Sequence, residues 1–242
     1  MSVKAASLVA SATKAGFRHD SFALRPGSTP KLWTSPLSGA DCTVEKAAFD
    51  HFAMEGWRGY GGEGGLVLNL IKAMSFRPVP PRHRATFVES LYSGNVAFGS
   101  DRYDKAQLLA NVLAASEDDV ATNFDILSSS APVYYEYEGV TFGPKSECML
   151  DFFPGLEKWM FLELHRVAGA DLLHRIGQLF ATNSYLYRRG WPDLTLWRET
   201  ELLFVEVKAP GDRLHDSQRT ISKDIAGPLG LDFLLVEIRP GA

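Results

Sequence analysis

The sequence predicts an α/β protein built on a mixed sheet with additional helices. Three observations carry that expectation. Asp193-Leu194-Thr195-Leu196-Trp197 and Leu202-Leu203-Phe204-Val205-Glu206-Val207-Lys208 are rich in β-branched, aromatic and leucine residues, and they flank the polar stretch Arg198-Glu199-Thr200-Glu201, the layout of an antiparallel hairpin. Upstream, Thr43 is suited to cap a helix from Val44 to Glu55, with Gly56 as its stop. Downstream, a helix from Asp216 to Ala226 is separated by Gly227, Pro228 and Gly230 from an apolar strand, Leu231 to Ile238.

In chain order, Met1 to Ala15 is a mild Ala/Ser/Lys stretch, read as a loose tail or an added helix, and the Pro-, Gly- and Ser-rich run from Phe17 to Ala40 is expected to be an irregular arm. The helix from Val44 would bury Val44, Ala47, Ala48 and Phe52 along one side. Gly59, Gly61, Gly62, Gly64 and Gly65 surround Glu63 before an apolar helix from Leu66 to Met74. A glycine-rich bend before a helix can cradle phosphate, but the Gly-Lys-Ser/Thr ending of a nucleotide-binding loop is missing. Pro78, Pro80 and Pro81 make Arg77 to Arg84 a loop. Helices are expected at Lys105 to Ser116 and Glu117 to Ser128, and a half-buried strand at Tyr134-Tyr135-Glu136-Tyr137, whose acids disfavour the rival reading of a base-stacking patch. Two amphipathic helices, Leu156 to Ala168 and Asp171 to Tyr187, lead to the hairpin. The domain organisation that follows is an N-terminal extension over residues 1–42 and one domain over 43–242, with a helical insertion at about 77–185.

The hairpin carries the chemistry. With its turn centred between Glu199 and Thr200, residues whose numbers sum to 399 face each other, which sets Asp193 across from Glu206. Directly opposed Cβ atoms lie about 4.5–5.5 Å apart, close enough for two carboxylates to share one cation. Strand alternation places Lys208 on the face of Glu206. Two adjacent carboxylates repel unless a cation or a proton relieves them, and hard oxygen ligands suit Mg²⁺ or Mn²⁺. An isolated Glu-x-Lys is usually an ordinary surface pair; the Pro192-Asp193 at the matching cross-strand position makes the difference.

Gly190-Trp191-Pro192-Asp193, with Val205-Glu206-Val207-Lys208-Ala209-Pro210-Gly211-Asp212-Arg213-Leu214 and Gln218, closely resembles the VRR-NUC (virus-type replication-repair nuclease) branch of the PD-(D/E)xK superfamily. Glu45 to Trp57, followed by Gly61-Gly62-Glu63-Gly64-Gly65, resembles the start of the nuclease domain of the Fanconi-associated nuclease family. Together the likeness spans roughly Thr43 to Ile238. It implies a restriction-endonuclease-like αβββαβ core, with the active site at the edge of the sheet. It also implies a Mg²⁺- or Mn²⁺-dependent deoxyribonuclease that hydrolyses phosphodiesters, acting in DNA repair on flap, junction or other branched DNA. The metal set would be Glu63, Asp193, Glu206 and the backbone carbonyl of Val207, with Asp193, Glu206, Lys208 and Gln218 catalytic. In this reading the Gln218 amide holds the attacking water or a phosphate. The family's N-terminal DNA-binding and helical-repeat regions fall outside the resemblance, so its choice of DNA structure does not carry over. A protein partner supplying targeting is the corresponding expectation.

Two alternatives stay open: a dimeric Holliday-junction resolvase, against which the long insertion between Glu63 and Asp193 argues, and a catalytically silent DNA-structure-binding module, against which the intact Asp193, Glu206 and Lys208 argue. A formal charge of −4 argues against indiscriminate binding of a polyanion but not against a local basic groove. Candidates for the groove are Lys158, Arg166, Arg175, Arg219 and Lys223, and above all Arg188, Arg189 and Arg213, which flank the motif. Glu163, His165 and His215 are expected to be structural rather than catalytic. Cys42 and Cys148 have no metal-ligand spacing, and no apolar run reaches membrane-spanning length. The expectation is a reduced intracellular protein, in the cytoplasm or nucleoid of a prokaryote or the nucleus of a eukaryote.

Overall fold

The computed structural model describes residues 8–86, 88, 104–137 and 139–241. The chain divides into two compact units, Met1–Gly64 with Arg189–Ala242, and Gly65–Arg188. The first carries the sheet. Its elements are a helix α1 (Leu8–Ala15), strand β1 (Arg18–Leu24), the two-residue strands β2 (Trp33–Thr34) and β3 (Asp41–Cys42), helix α2 (Val44–Met54) and strand β4 (Arg58–Gly61). After the second unit come β7 (Leu194–Arg198), β8 (Glu201–Lys208), a short helix Asp216–Ile221 that runs into a π-helical turn Ser222–Ala226, and β9 (Phe233–Pro240). The five-stranded order is β1-β9-β8-β7-β4. It is a mixed sheet: β4/β7 and β7/β8 are antiparallel, β8/β9 and β1/β9 parallel. Without β1, the sequence α2-β4-β7-β8-helix-β9 is the αβββαβ core that the resemblance implied.

Local chemistry accounts for the elements that position the site. The Thr43 hydroxyl accepts the Lys46 N–H at 3.3 Å and starts α2. Ala47, Ala48 and Phe52 of that helix lie in one apolar cluster with Leu194, Leu196, Leu203, Val205, Val207, Leu234, Val236 and Ile238. Alternation along β8 therefore sends Leu203, Val205 and Val207 into this cluster and Phe204, Glu206 and Lys208 to the other side of the sheet. On that other side Phe204 meets Phe233, with ring centroids 5.3 Å apart, and Trp191 at 6.3 Å. Each such buried side chain contributes about 1.5–3 kcal/mol.

Two expectations need correction. The run from Phe17 to Ala40 is not wholly irregular, because Arg18–Leu24 pairs in parallel with β9 from Arg18↔Leu234 to Leu24↔Pro240. Its polar, Pro-flanked sequence hid the strand, since an edge strand needs only one hydrogen-bonded side. The site is also not at the sheet's edge: β1 and β4 are the edges, and β7 and β8 lie inside.

The second unit is mainly helical. It holds α3 (Gly65–Ser75), α4 (Lys105–Ala114), α5 (Glu117–Ser128), the hairpin β5 (Val133–Tyr137) and β6 (Val140–Lys145), α6 (Met149–Phe152), α7 (Lys158–Thr182) and α8 (Ser184–Tyr187). The expected break between two helices occurs inside α7 at Gly169, where φ is 73° and ψ 153°. Buried Asn123 joins elements of this unit: its amide nitrogen donates to the Ala73 and Phe76 carbonyls, each at 2.7 Å, and its oxygen accepts the Val79 N–H at 3.0 Å. Of the stretch Met1 to Ala15, read as a loose tail or an added helix, Leu8–Ala15 forms α1 and residues 1–7 lie outside the described residues, as does much of the stretch between Thr86 and Asp104.

Candidate metal centre

The hairpin register follows the expected sum of 399, from Leu194↔Val205 to Arg198↔Glu201. Glu199, in the turn, has φ +54°. Pairing stops one residue short of Asp193, whose Oδ2 instead accepts the Val207 N–H at 2.8 Å. The Asp193 backbone is held from the other side, where its carbonyl accepts the Gly62 N–H at 2.8 Å, just beyond the Gly61↔Leu194 pair of β4 and β7. That contact delivers Glu63, the next residue, to the same end of the sheet. Glu63 is a non-glycine residue at φ +35°, a left-handed conformation that costs on the order of 1–2 kcal/mol. Gly64 follows at φ +77°, and a Cβ there would stand 2.5 Å from Trp191 Cγ, so both the backbone and the close approach of the indole require glycine.

Glu206 and Lys208 are 1% and 5% exposed, which is rare for charged residues unless they are paired. They are paired with each other, Lys208 Nζ lying 2.6 Å from Glu206 Oε1. The same Oε1 accepts the Gln218 side-chain N–H at 2.5 Å. Glu206 Oε2 is buried and has no hydrogen-bond partner among the described residues. Burial pushes the Glu206 carboxyl from 4.5 up to about 8, reinforced by the charges of Asp193 and Glu63 and opposed by Lys208. Burial likewise raises the Asp193 carboxyl from 3.8 to about 6; the Val207 N–H and Lys208 oppose that rise, and Glu45 and Glu63 add to it. Both carboxyls are pushed toward the protonated form because ionising them is costly in this buried pair, and a bound cation offsets that cost.

No group of three His, Cys, Asp or Glu side chains among the described residues is arranged to hold a metal by itself. The donor set nevertheless fits Mg²⁺ or Mn²⁺. Such ions retain waters and need only one or two carboxylates together with substrate phosphate, and Glu206 Oε2 is an orphaned acceptor that desolvation penalises until something binds it.

Of the expected site residues, Glu63, Asp193, Glu206, Val207, Lys208 and Gln218 thus come together in the first unit. Val207 enters through its backbone N–H. Gln218 meets a carboxylate rather than standing free for water. Arg189 and Arg213 are exposed and make no ion pair among the described residues. Arg188, in the second unit, lays its guanidinium over the Tyr185 ring at 3.9 Å. Four other groove candidates are committed to acids: Lys158 to Asp125, Arg166 to Glu117, Arg175 to Asp171 and Arg219 to Asp216. Glu45 is the residue that sequence reasoning missed. In the first turn of α2 an acid reads as a partner of the helix dipole, and only the fold brings its charge to bear on Asp193.

Residues 162–233 match the VRR-NUC domain family. No curated protein matches the chain. Among solved structures, the chain is similar to paFAN1 bound to 2nt 5′flap DNA with gap, at 17% identity and a TM-score of 0.63 over 93% of this chain and 38% of that one. A second paFAN1 complex, with 1nt 5′flap DNA with gap, gives 19% identity and a TM-score of 0.60 over the same shares, 93% and 38%. The chain therefore spans well under half the length of these structural neighbours, which at such identities show a shared fold. No helix among the described residues is long and apolar enough to cross a membrane. Cys42 and Cys148 are both free thiols.

Proposed function

We propose that this chain, which carries a VRR-NUC domain, is a Mg²⁺- or Mn²⁺-dependent deoxyribonuclease that hydrolyses phosphodiester bonds of flapped or otherwise branched DNA. The observation that carries the reading is the convergence of Asp193, Glu206 and Lys208 at one end of the interior strands, where Glu206 Oε2 is buried and has no hydrogen-bond partner among the described residues. Asp193 and Glu206 would hold the cation, with Glu63 and the Val207 carbonyl completing its protein ligands. When bound, the ion supplies Lewis-acid polarisation of the scissile phosphate and an activated water. Lys208 pairs with Glu206 and opposes the upward push of burial on its carboxyl, and it offers its remaining N–H donors to the charge that builds on the phosphoryl oxygens. Arg189 and Arg213, exposed and without ion-pair partners among the described residues, would track the DNA backbone on either side of the motif. The preference for flaps is supported by the fold shared with flap-bound paFAN1.

Cleavage of end-labelled 5′-flap, four-way junction, single-stranded and duplex DNA with Mg²⁺, Mn²⁺ or EDTA tests this, in wild type, Asp193→Ala and Lys208→Ala. Metal-dependent cutting of the flap, lost in both variants, is the expected result. Preferential cutting of four-way junctions by a dimer would replace flap processing with junction resolution. Binding without cutting by all three proteins would make the chain a DNA-structure-binding module.

A further inference from the structure

The carboxamide of Gln218 bridges a helix start and the buried acid of the hairpin, Glu206. Its Oε1 accepts the backbone N–H of His215 at 2.8 Å, and its Nε2 donates to Glu206 Oε1. A backbone N–H can only donate, so the amide orientation is determined: oxygen toward His215, nitrogen toward the acid. Lys208 Nζ donates to that same Oε1 at 2.6 Å. Two donors therefore converge on one oxygen of the carboxyl, while buried Oε2 has no partner among the described residues.

We infer that Gln218 is a positioning residue: anchored by the His215 N–H, it fixes the rotation of the Glu206 carboxyl so that Oε2 alone is presented to the cation. This rests on the metal-nuclease reading above and replaces the expectation that the amide holds water or phosphate. The terminal torsion of Glu is intrinsically broad, so nothing local sets that rotation without the two donors. Its consequence is discrimination by ion size. Mg²⁺ and Mn²⁺ suit single-oxygen ligation in tight octahedral geometry, whereas the larger Ca²⁺ accepts a carboxylate through both oxygens.

The experiment is calorimetric titration of Mn²⁺ and of Ca²⁺ into the DNA-free protein, with flap-DNA affinity measured in EDTA. Wild type is compared with Gln218→Met, which removes both amide hydrogen bonds at similar length, and with Asp216→Ala, which loosens the same helix turn without touching Glu206. Gln218→Met is expected to weaken Mn²⁺ about tenfold, to alter Ca²⁺ by less than about threefold, and to leave DNA affinity unchanged; Asp216→Ala is expected to bind both ions as wild type does. Unchanged Mn²⁺ affinity in Gln218→Met, an equal loss of both ions, an equal loss in Asp216→Ala, or a loss of DNA affinity alone would each overturn the positioning role. Wild type that binds no Mn²⁺ would overturn the metal-nuclease reading itself, a result distinct from all of these.

Discussion

Replacing Glu206 with Gln removes one ionisable group and little volume, which isolates the electrostatic cost of building this site. The Glu206 carboxyl is raised from 4.5 to about 8 by burial and by its acidic neighbours. Below pH 4.5 both folded and unfolded chains hold the proton. Between 4.5 and 8 the folded chain keeps it and the unfolded chain has lost it, so the contribution to stability is full at low pH and disappears as pH rises through that window. Asp193, raised only to about 6, is already half titrated at pH 6, so most of the change between pH 6 and pH 8 belongs to Glu206. Over that interval linkage gives a loss of about 2 kcal/mol in the metal-free wild type beyond any loss in Glu206→Gln. Urea unfolding in EDTA at pH 6, 7 and 8 reads it as a falling midpoint; with slopes of about 2–3 kcal/mol per molar the relative shift approaches 1 M. Mn²⁺ added at pH 8 should restore the wild-type midpoint and leave that of Glu206→Gln where it was. Parallel midpoints for the two proteins across this range, or equal rescue of both by Mn²⁺, would refute the claim that a desolvated Glu206 carboxylate is the penalty the cation relieves.

Three further outcomes follow from particular contacts. Gly190 sits at φ +87° with the Ser217 carbonyl 2.3 Å from where a Cβ would be, so Gly190→Ala should cost about 2–4 kcal/mol in urea unfolding and weaken Mn²⁺ binding, because the turn that carries Gln218 is forced away. Lys208→Met should lower the single-turnover rate on flap DNA by about 10²–10³ while leaving DNA affinity in EDTA unchanged; a rate within a factor of three of wild type would remove Lys208 from the chemistry. Arg213→Ala should reduce the slope of log affinity against log salt by about 1, the signature of one lost phosphate contact, and an unchanged slope would place Arg213 away from the DNA.

Local signals determined much of this molecule. The turn at Glu199 and Thr200 and the alternating apolar residues set the hairpin register, because a slip of one residue would turn Leu203, Val205 and Val207 out of the apolar cluster packed under α2 and put Glu206 and Lys208 into it. The Thr43 cap, the break at Gly169 and the helix from Asp216 were legible for the same reason: caps, glycines and periodicity act over a few residues. So was the approach of Asp193 to Glu206 and Lys208, since the three stand on or just before the two strands of one hairpin. What the tertiary structure decided depends on neighbours remote in sequence. Arg18–Leu24 is a strand because β9 offers it an open edge, not because its polar sequence demands one. Glu45 acts on Asp193 only once α2 is packed against the sheet. Gln218 meets Glu206 only because Gly190 lets the Ser217 backbone approach. The carboxyls of Asp193 and Glu206 move upward because folding removes water from both at once, and desolvation is a property of the packed structure that no stretch of sequence carries.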